Sequence, residues 1–336
     1  MRKQFAGIIL FLSLAGLGIA QDTSNLTVPP GIVSDGVPKI PMSLVEVAGR
    51  YNENRSTFVT DWHPQRREMI IGTRFANTYQ AHLVKMPAGA RTQLTFSPEP
   101  VYGGRFQPTK GDYMIFQKDV GGGEWYQLFR YDMATSDITL LTDGKSRNLG
   151  GPWSTQGDRL AYTSTRRTGQ DTDVWVINPA DPKSDRLLAR LNGGGWEPQD
   201  WSPDDSKILV LEGISVNETY MWLMDAATGE KAELTPRNAQ EKIAYSNPRF
   251  SKDGKGIYFT SDKDSEFQRL VYMDLATKQT RVLTGGISWD VDEFALSWDG
   301  KKIAFLTNED GDSVSCICST PNRDGNCPHR NCPWAW

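Results

Sequence analysis

Apolar positions in this chain come in short alternating bursts, not in the three-and-four spacing of an amphipathic helix. Six strand-length runs stand out: EMIIGT, DYMIFQ, RLAYTS, KILVLE, GIYFTS and KIAFLT. Each follows an aromatic or apolar residue and a tight polar turn. The combined phrase begins at Trp62, Phe106, Trp153, Trp201, Phe250 and Leu296, at intervals of 44, 47, 48, 49 and 46 residues. A second alternating run ends in Asp-x-Ala-Thr at Asp132, Asp225 and Asp274, and a third ends in Leu-Thr, as at Leu94-Thr95. Asp and Gly between such runs supply the backbone angles of hairpin turns. Four strands per unit at this period predict an all-β fold: a β-propeller of four-stranded blades, with about six repeat units and an incomplete last one.

The anchoring aromatics are expected to pack blade against blade, not to form ligand platforms. Glycines recur shortly before them, at Gly103-Gly104, Gly150-Gly151, Gly193 to Gly195 and Gly285-Gly286. Crowding of neighbouring blades at the axis favours residues without a Cβ there. Residues 58–314 are assigned to the propeller. Residues 21–57 form an N-terminal segment that is Pro-rich at Pro29-Pro30, Pro38 and Pro41, with a short helix expected from Ser43 to Tyr51. The pattern leaves open whether this segment lies on a rim or completes a blade.

Residues 1–20 read as a secretory signal peptide, with basic Arg2 and Lys3, an apolar stretch from Phe5 to Ile19, and small Gly18 and Ala20 at the cleavage positions. An uncleaved membrane anchor is the alternative, because the uncharged run is close to spanning length. The Ser and Gly content and the Gly-Ile-Ala ending favour cleavage, so the mature protein is expected to be periplasmic or extracellular, with no membrane association. The 336 residues carry a net charge of −4, or −6 once Arg2 and Lys3 leave with the leader, which argues against nucleic acid as a partner. Sequons at Asn25, Asn54 and Asn217 are possible glycan sites only. The acidic run from Asn308 to Asp312 lacks the ligand spacing of an EF-hand.

The WSPDD-like and MDAATG-like phrases resemble the propeller repeats of TolB-like periplasmic proteins and of the prolyl oligopeptidase family. Trp62-His63-Pro64, the stretch TSTRRTGQDTD from Thr163 to Asp173, and EGISVNETY from Glu212 to Tyr220 resemble the propeller half of that family's secreted bacterial serine peptidases. The likeness covers about residues 40 to 314. It implies a propeller set over an α/β-hydrolase domain, admitting peptides to a Ser-Asp-His triad. The nucleophile of that domain sits in a Gly-x-Ser-x-Gly turn, and no such pentapeptide occurs in these 336 residues. Nor do His63, His82 and His329 follow a Ser and Asp in hydrolase order. No catalytic residue is therefore carried over, and the chain is expected to be inactive alone.

Nothing in the pattern asks for a cofactor or metal. Arg166, Arg167, Asp173, Trp196, Glu197 and Glu218 are candidates for the channel or its mouth, against the plainer reading of solvated loop residues and core aromatics. The expected partner is a peptide substrate or a protein docking on the propeller, and an unfinished sixth blade makes self-association through the open edge an expectation too.

From Ser315 the text changes: Cys316, Cys318, Cys327 and Cys332 crowd into 17 residues, so 315–336 is set apart as an aberrant Cys-rich tail. A metal site would draw on the cysteines and His329, in spacings that match no zinc module. A disulfide staple suits an exported protein. The third reading is a shifted reading frame. Reading the tail codons from two bases in permits an apolar strand followed by an Asp, drawn from the Ser319 and Thr320 codons, and a Gly four residues later. The interval from Leu296 to Thr320 is 24, equal to that from Trp201 to Asp225 and from Phe250 to Asp274.

Overall fold

The computed structural model describes residues 24–237 and 241–320, which divide into two units at the boundary between Ser56 and Thr57. The expected leader and the tail residues Cys327, His329 and Cys332 lie outside the described residues. In the first unit a helix spans Met42–Asn52, one residue longer at each end than the pattern predicts. It starts directly after Pro41, held at φ −63°, whose missing N–H removes a donor that a helix start leaves unpaired anyway. The chain before it folds back, with the Leu26 N–H donating to the Ile40 carbonyl (2.8 Å) and the Met42 N–H to the Ser24 carbonyl (2.9 Å). Among the described residues no helix is long and apolar enough to cross a membrane.

The second unit is a run of six antiparallel sheets, at 57–93, 102–140, 148–189, 196–233, 245–282 and 291–319, named here blades 1 to 6. Among the described residues the first five have four strands and the sixth has three, paired in chain order throughout. The predicted propeller is thus present, with three strands described in its last blade. The apolar runs are the second strands. Leu160–Ser164 and Gly256–Ser261 are buried along their whole length, because a blade between two others has no solvent face.

Turn chemistry repeats with the strands. Asp225 Oδ1 accepts the N–H groups of Ala227 and Thr228, both at 2.9 Å, and Asp132 and Asp274 do the same to their own Ala and Thr. The turn closes through a residue with positive φ, filled by Gly229 (76°), Ser136 (65°) or Lys278 (60°). In the other hairpin the Ser202, Ser251 and Ser297 hydroxyls donate to Asp204, Asp253 and Asp299 at 2.5, 2.6 and 2.7 Å.

These bonds hold the turn carboxyls below the ordinary Asp range. Asp204 is brought down to about 2 by the Ser202 hydroxyl and the Ser206 N–H. The Lys207 ammonium, 2.7 Å away, and the turn N–H groups lower Asp225, while turn N–H groups lower Asp132 and Asp274. A lowered folded pKa contributes stability that is present above the unfolded Asp value of 3.8 and lost as pH falls through the folded value. The melting temperature is expected to hold from about pH 7 to about pH 5 and to fall below about pH 4, less steeply in Asp225→Asn. A melting temperature unchanged down to about pH 2.5 would contradict this.

Five hydrophobic clusters each join consecutive blades. Ile70, Leu83 and Phe106 join blades 1 and 2; Tyr113, Leu160 and Tyr162 join 2 and 3; Val174, Trp201 and Ile208 join 3 and 4. Met221, Phe250 and Phe259 join 4 and 5, and Leu270, Ile303 and Phe305 join 5 and 6. Among the described residues no such cluster joins blade 6 to blade 1. The anchoring aromatics record the same gap: Phe106, Trp201 and Phe250 are 1%, 3% and 4% exposed, whereas Trp62 is 61% exposed. Each buried anchor packs on the blade before it, and blade 1 has none before it.

The crowding argument holds for some glycines only. A Cβ on Gly151 would lie 2.5 Å from the Ala161 carbonyl oxygen, but Gly103 and Gly286 face open space. The last strand, Asp312–Ser319, pairs residue by residue with Lys302–Glu309, so the first five residues of the cysteine-rich stretch complete a strand. Cys318 is buried within the cluster between blades 5 and 6 and is disulfide-bonded.

Candidate functional site

The first strands of successive blades lie against one another around the axis, as in blades 1 and 2, 3 and 4, and 4 and 5. In each of these strands the register against the second strand slips once. In four blades the slip falls just before the residue preceding the anchor, between Val59 and Asp61, Tyr102 and Arg105, Pro198 and Asp200, and Ser246 and Arg249. Such a bulge bends the strand and re-aims the next side chain. In blades 2 and 5 a residue with positive φ, Gly103 (66°) or Asn247 (53°), stands two positions before the arginine. From blade 1 to blade 6 the position before the anchor is filled by Asp61, Arg105, Pro152, Asp200, Arg249 and Ala295.

Two of these residues fasten blades together. Asp61 Oδ2 accepts the Phe106 N–H at 2.7 Å and Asp200 Oδ2 accepts the Phe250 N–H at 2.8 Å, each reaching the following blade. Burial nevertheless pushes both carboxyls above the ordinary Asp value. The arginines also reach across: Arg105 Nη2 donates to the Gly151 carbonyl at 2.6 Å, and Arg249 Nη1 donates to the Gln199 carbonyl. Burial lowers the Arg105 pKa, opposed by the Asp61 carboxylate and reinforced by the Arg249 charge. Arg105, Glu197, Asp200 and Arg249 line an axial cavity of about 500 Å³, walled by residues 149–153 of blade 3.

The six residues singled out from the sequence fall elsewhere, apart from Glu197. All lie toward the end at which the first strands begin, opposite the Ser-x-Asp turns. Arg167 forms a bidentate pair with the fully buried Asp173 (2.8 and 3.0 Å) and donates to the Leu191 carbonyl (2.7 Å). Arg166 bonds Asp185 at 2.8 Å and Tyr162 at 3.0 Å, with its guanidinium 4.0 Å from the centre of the Trp175 ring. Trp196 is buried between blades 3 and 4, its indole N–H on the Asn192 carbonyl at 2.7 Å. Glu218 accepts the Tyr220 hydroxyl at 2.8 Å, which holds its carboxyl below the usual range. Only Arg167 and Asp173 are brought together by direct bonds.

Both described histidines are engaged with backbone. His63 Nδ1 accepts the Gln65 and Arg66 N–H groups (3.0 and 3.1 Å), and His82 Nδ1 lies 2.9 Å from the Gln80 carbonyl. Burial lowers both pKa values. The axial arginines were missed by reading loops and motifs. Stacking the six repeats, with attention to the residue before each anchor, exposes the Asp-Arg-Pro-Asp-Arg-Ala series.

Comparison with known proteins adds three likenesses. The chain is 25% identical over 181 residues to an uncharacterized peptidase, YuxL, of Bacillus subtilis, covering 54% of this chain and 25% of the relative. It is 25% identical over 202 residues to dipeptidyl-peptidase 5 of Porphyromonas gingivalis, covering 52% of this chain and 29% of the relative. The chain thus spans under a third of the length of either curated relative. A solved prolyl endopeptidase superposes on 87% of this chain and 45% of its own with a TM-score of 0.67, at 13% identity, which is a likeness of fold. Residues 126–325, more than half of the chain, match the family model described as the TolB beta propeller domain. This chain belongs to the TolB β-propeller domain family.

Proposed function

We propose that this chain is the non-catalytic propeller part of an exported prolyl oligopeptidase-like serine peptidase, whose hydrolase domain lies outside these 336 residues. The observation that carries this reading is that these two curated relatives are peptidases by name, matched over about half of this chain and between a quarter and a third of their own length. The propeller's part in that enzyme is to admit peptides of limited size, while acyl transfer takes place on the other domain. The leader-like residues 1–20 support export. The purified chain is therefore expected to leave peptidyl nitroanilides uncut over hours. Turnover that survives repurification and a serine-directed inhibitor blank would contradict the assignment of the chemistry to another domain.

A second reading has its own support in the family model: a stand-alone TolB-like propeller that docks a protein or peptide. The two readings part at the DNA after the propeller. The first requires an α/β-hydrolase frame there, and the second requires none.

A further inference from the structure

Arg105 and Arg249 come from blades 2 and 5 yet line one axial cavity of about 500 Å³. Among the described residues neither guanidinium has a carboxylate oxygen within 4.0 Å. Their hydrogen bonds go to the backbone carbonyls of Gly151, Gln199 and Pro248, which fix the side chains but neutralise no charge. The carboxylates that act on them, Asp61 on Arg105 and Asp200 on Arg249, form no ion pair with them, and a half-buried cation balanced only from a distance is unfavourable for the fold alone. A guanidinium has five N–H donors in a planar fork, and these carbonyl bonds leave most of them unused. Such a fork matches the two oxygens of a carboxylate.

Both arginines sit where a bulge redirects the strand, and in each case a residue with positive φ stands two positions earlier. Residues from the same cavity set its charge selectivity. Asp200 is engaged with the Phe250 N–H, and among the described residues the Glu197 carboxylate has a single partner, Gln199 Nε2, 3.4 Å away. With Asp200 and Glu197 on the cavity and Asp61 acting on Arg105 from blade 1, a singly charged carboxylate is better matched to the two arginines than a phosphate. The wall beside Arg105 leaves room: a Cβ on Gly150 would meet nothing closer than 3.5 Å and would stand 3.7 Å from Arg105 Nη2.

We propose that the axial cavity binds a peptide carboxylate held between Arg105 and Arg249, so that the propeller favours acidic segments. The choice of a peptide as occupant rests on the peptide-handling reading above; the anion preference rests on the cavity. The test is fluorescence anisotropy on the 336-residue chain with three labelled octapeptides. One carries Asp and Glu with an amidated C-terminus, one carries Asn and Gln instead, and one has neutral side chains with a free C-terminus.

The acidic peptide is expected to bind at least about tenfold more tightly than its amide counterpart, and less tightly as salt rises from about 50 to about 300 mM. The third peptide shows whether a terminal carboxylate serves as well as a side chain. Arg249→Gln and Arg105→Gln should each remove most of the preference, and Arg249→Lys should keep part of it. Should Arg105→Gln melt early through loss of the Gly151 bond, Gly150→Ala, which narrows the cavity with both charges in place, should weaken the acidic peptide. Equal binding of acidic and amide peptides, or a preference that survives the arginine substitutions, overturns the site and leaves the peptide-handling reading standing. No binding of any peptide overturns the site, and the peptidase reading is then judged by its hydrolase frame.

Discussion

Replacing Phe106 with alanine is expected to destabilise the propeller by about 3–5 kcal/mol, whereas the same change at Trp62 should cost less than about 1 kcal/mol. The two residues occupy the same place in successive repeats. Phe106 is buried in the cluster joining blades 1 and 2, with its ring centre 4.9 Å from that of His63. Removing it deletes most of an aromatic side chain and leaves a void that the surrounding strands cannot fully close. Trp62 has no preceding blade to pack on and is mostly in water already. Urea unfolding followed by tryptophan fluorescence, corrected for the lost indole, measures both changes. Equal losses at the two positions would mean that blade 1 has a covered first face, and the open ring would be wrong.

The second large effect is association. Blade 1 exposes Phe58 and Trp62, and blade 6 exposes Ile317 opposite Ala304. At about 25 cal/mol per Å² of apolar surface, covering a few hundred Å² of each face releases several kcal/mol, comparable with the stability of a small domain. Unfinished blades also present strand edges with unpaired backbone groups. The chain is therefore expected to associate at micromolar concentrations in sedimentation velocity runs. Trp62→Arg combined with Ile317→Lys should shift it toward monomer without lowering its melting temperature. A chain that stays monomeric at about 100 µM would contradict the exposed faces as a source of attraction.

Much of the fold was legible because the repeat is written in local chemistry. The Asp of each Asp-x-Ala-Thr phrase binds N–H groups two and three residues on, so its meaning is complete within one turn. The second strands of blades 3 and 5 showed as apolar runs because both of their faces are covered. The candidate site was harder to read. Arg167 looked available in the sequence, but its partners Asp173 and the Leu191 carbonyl are brought to it by the sheet. Arg105 and Arg249 lie 144 residues apart, and only closure of the blades around an axis puts them on one cavity. Trp62 and Phe106 are indistinguishable by pattern, and their different burial depends on which blade precedes them.

The tail bears most directly on function, and the register sharpens the question it poses. Lys302 pairs with Ser319, at the place where Lys207 pairs with Asp225 and Gly256 with Asp274. An Asp drawn by a shifted frame from the Ser319 and Thr320 codons would stand at this turn. Sequencing the coding DNA from the Ser315 codon through the following few hundred codons tests the peptidase reading most directly. The account predicts a frame that restores the Asp-bearing turn, finishes the sixth blade and runs on into a hydrolase domain with a Gly-x-Ser-x-Gly turn. A confirmed cysteine-rich frame followed by a stop or an unrelated gene would contradict it.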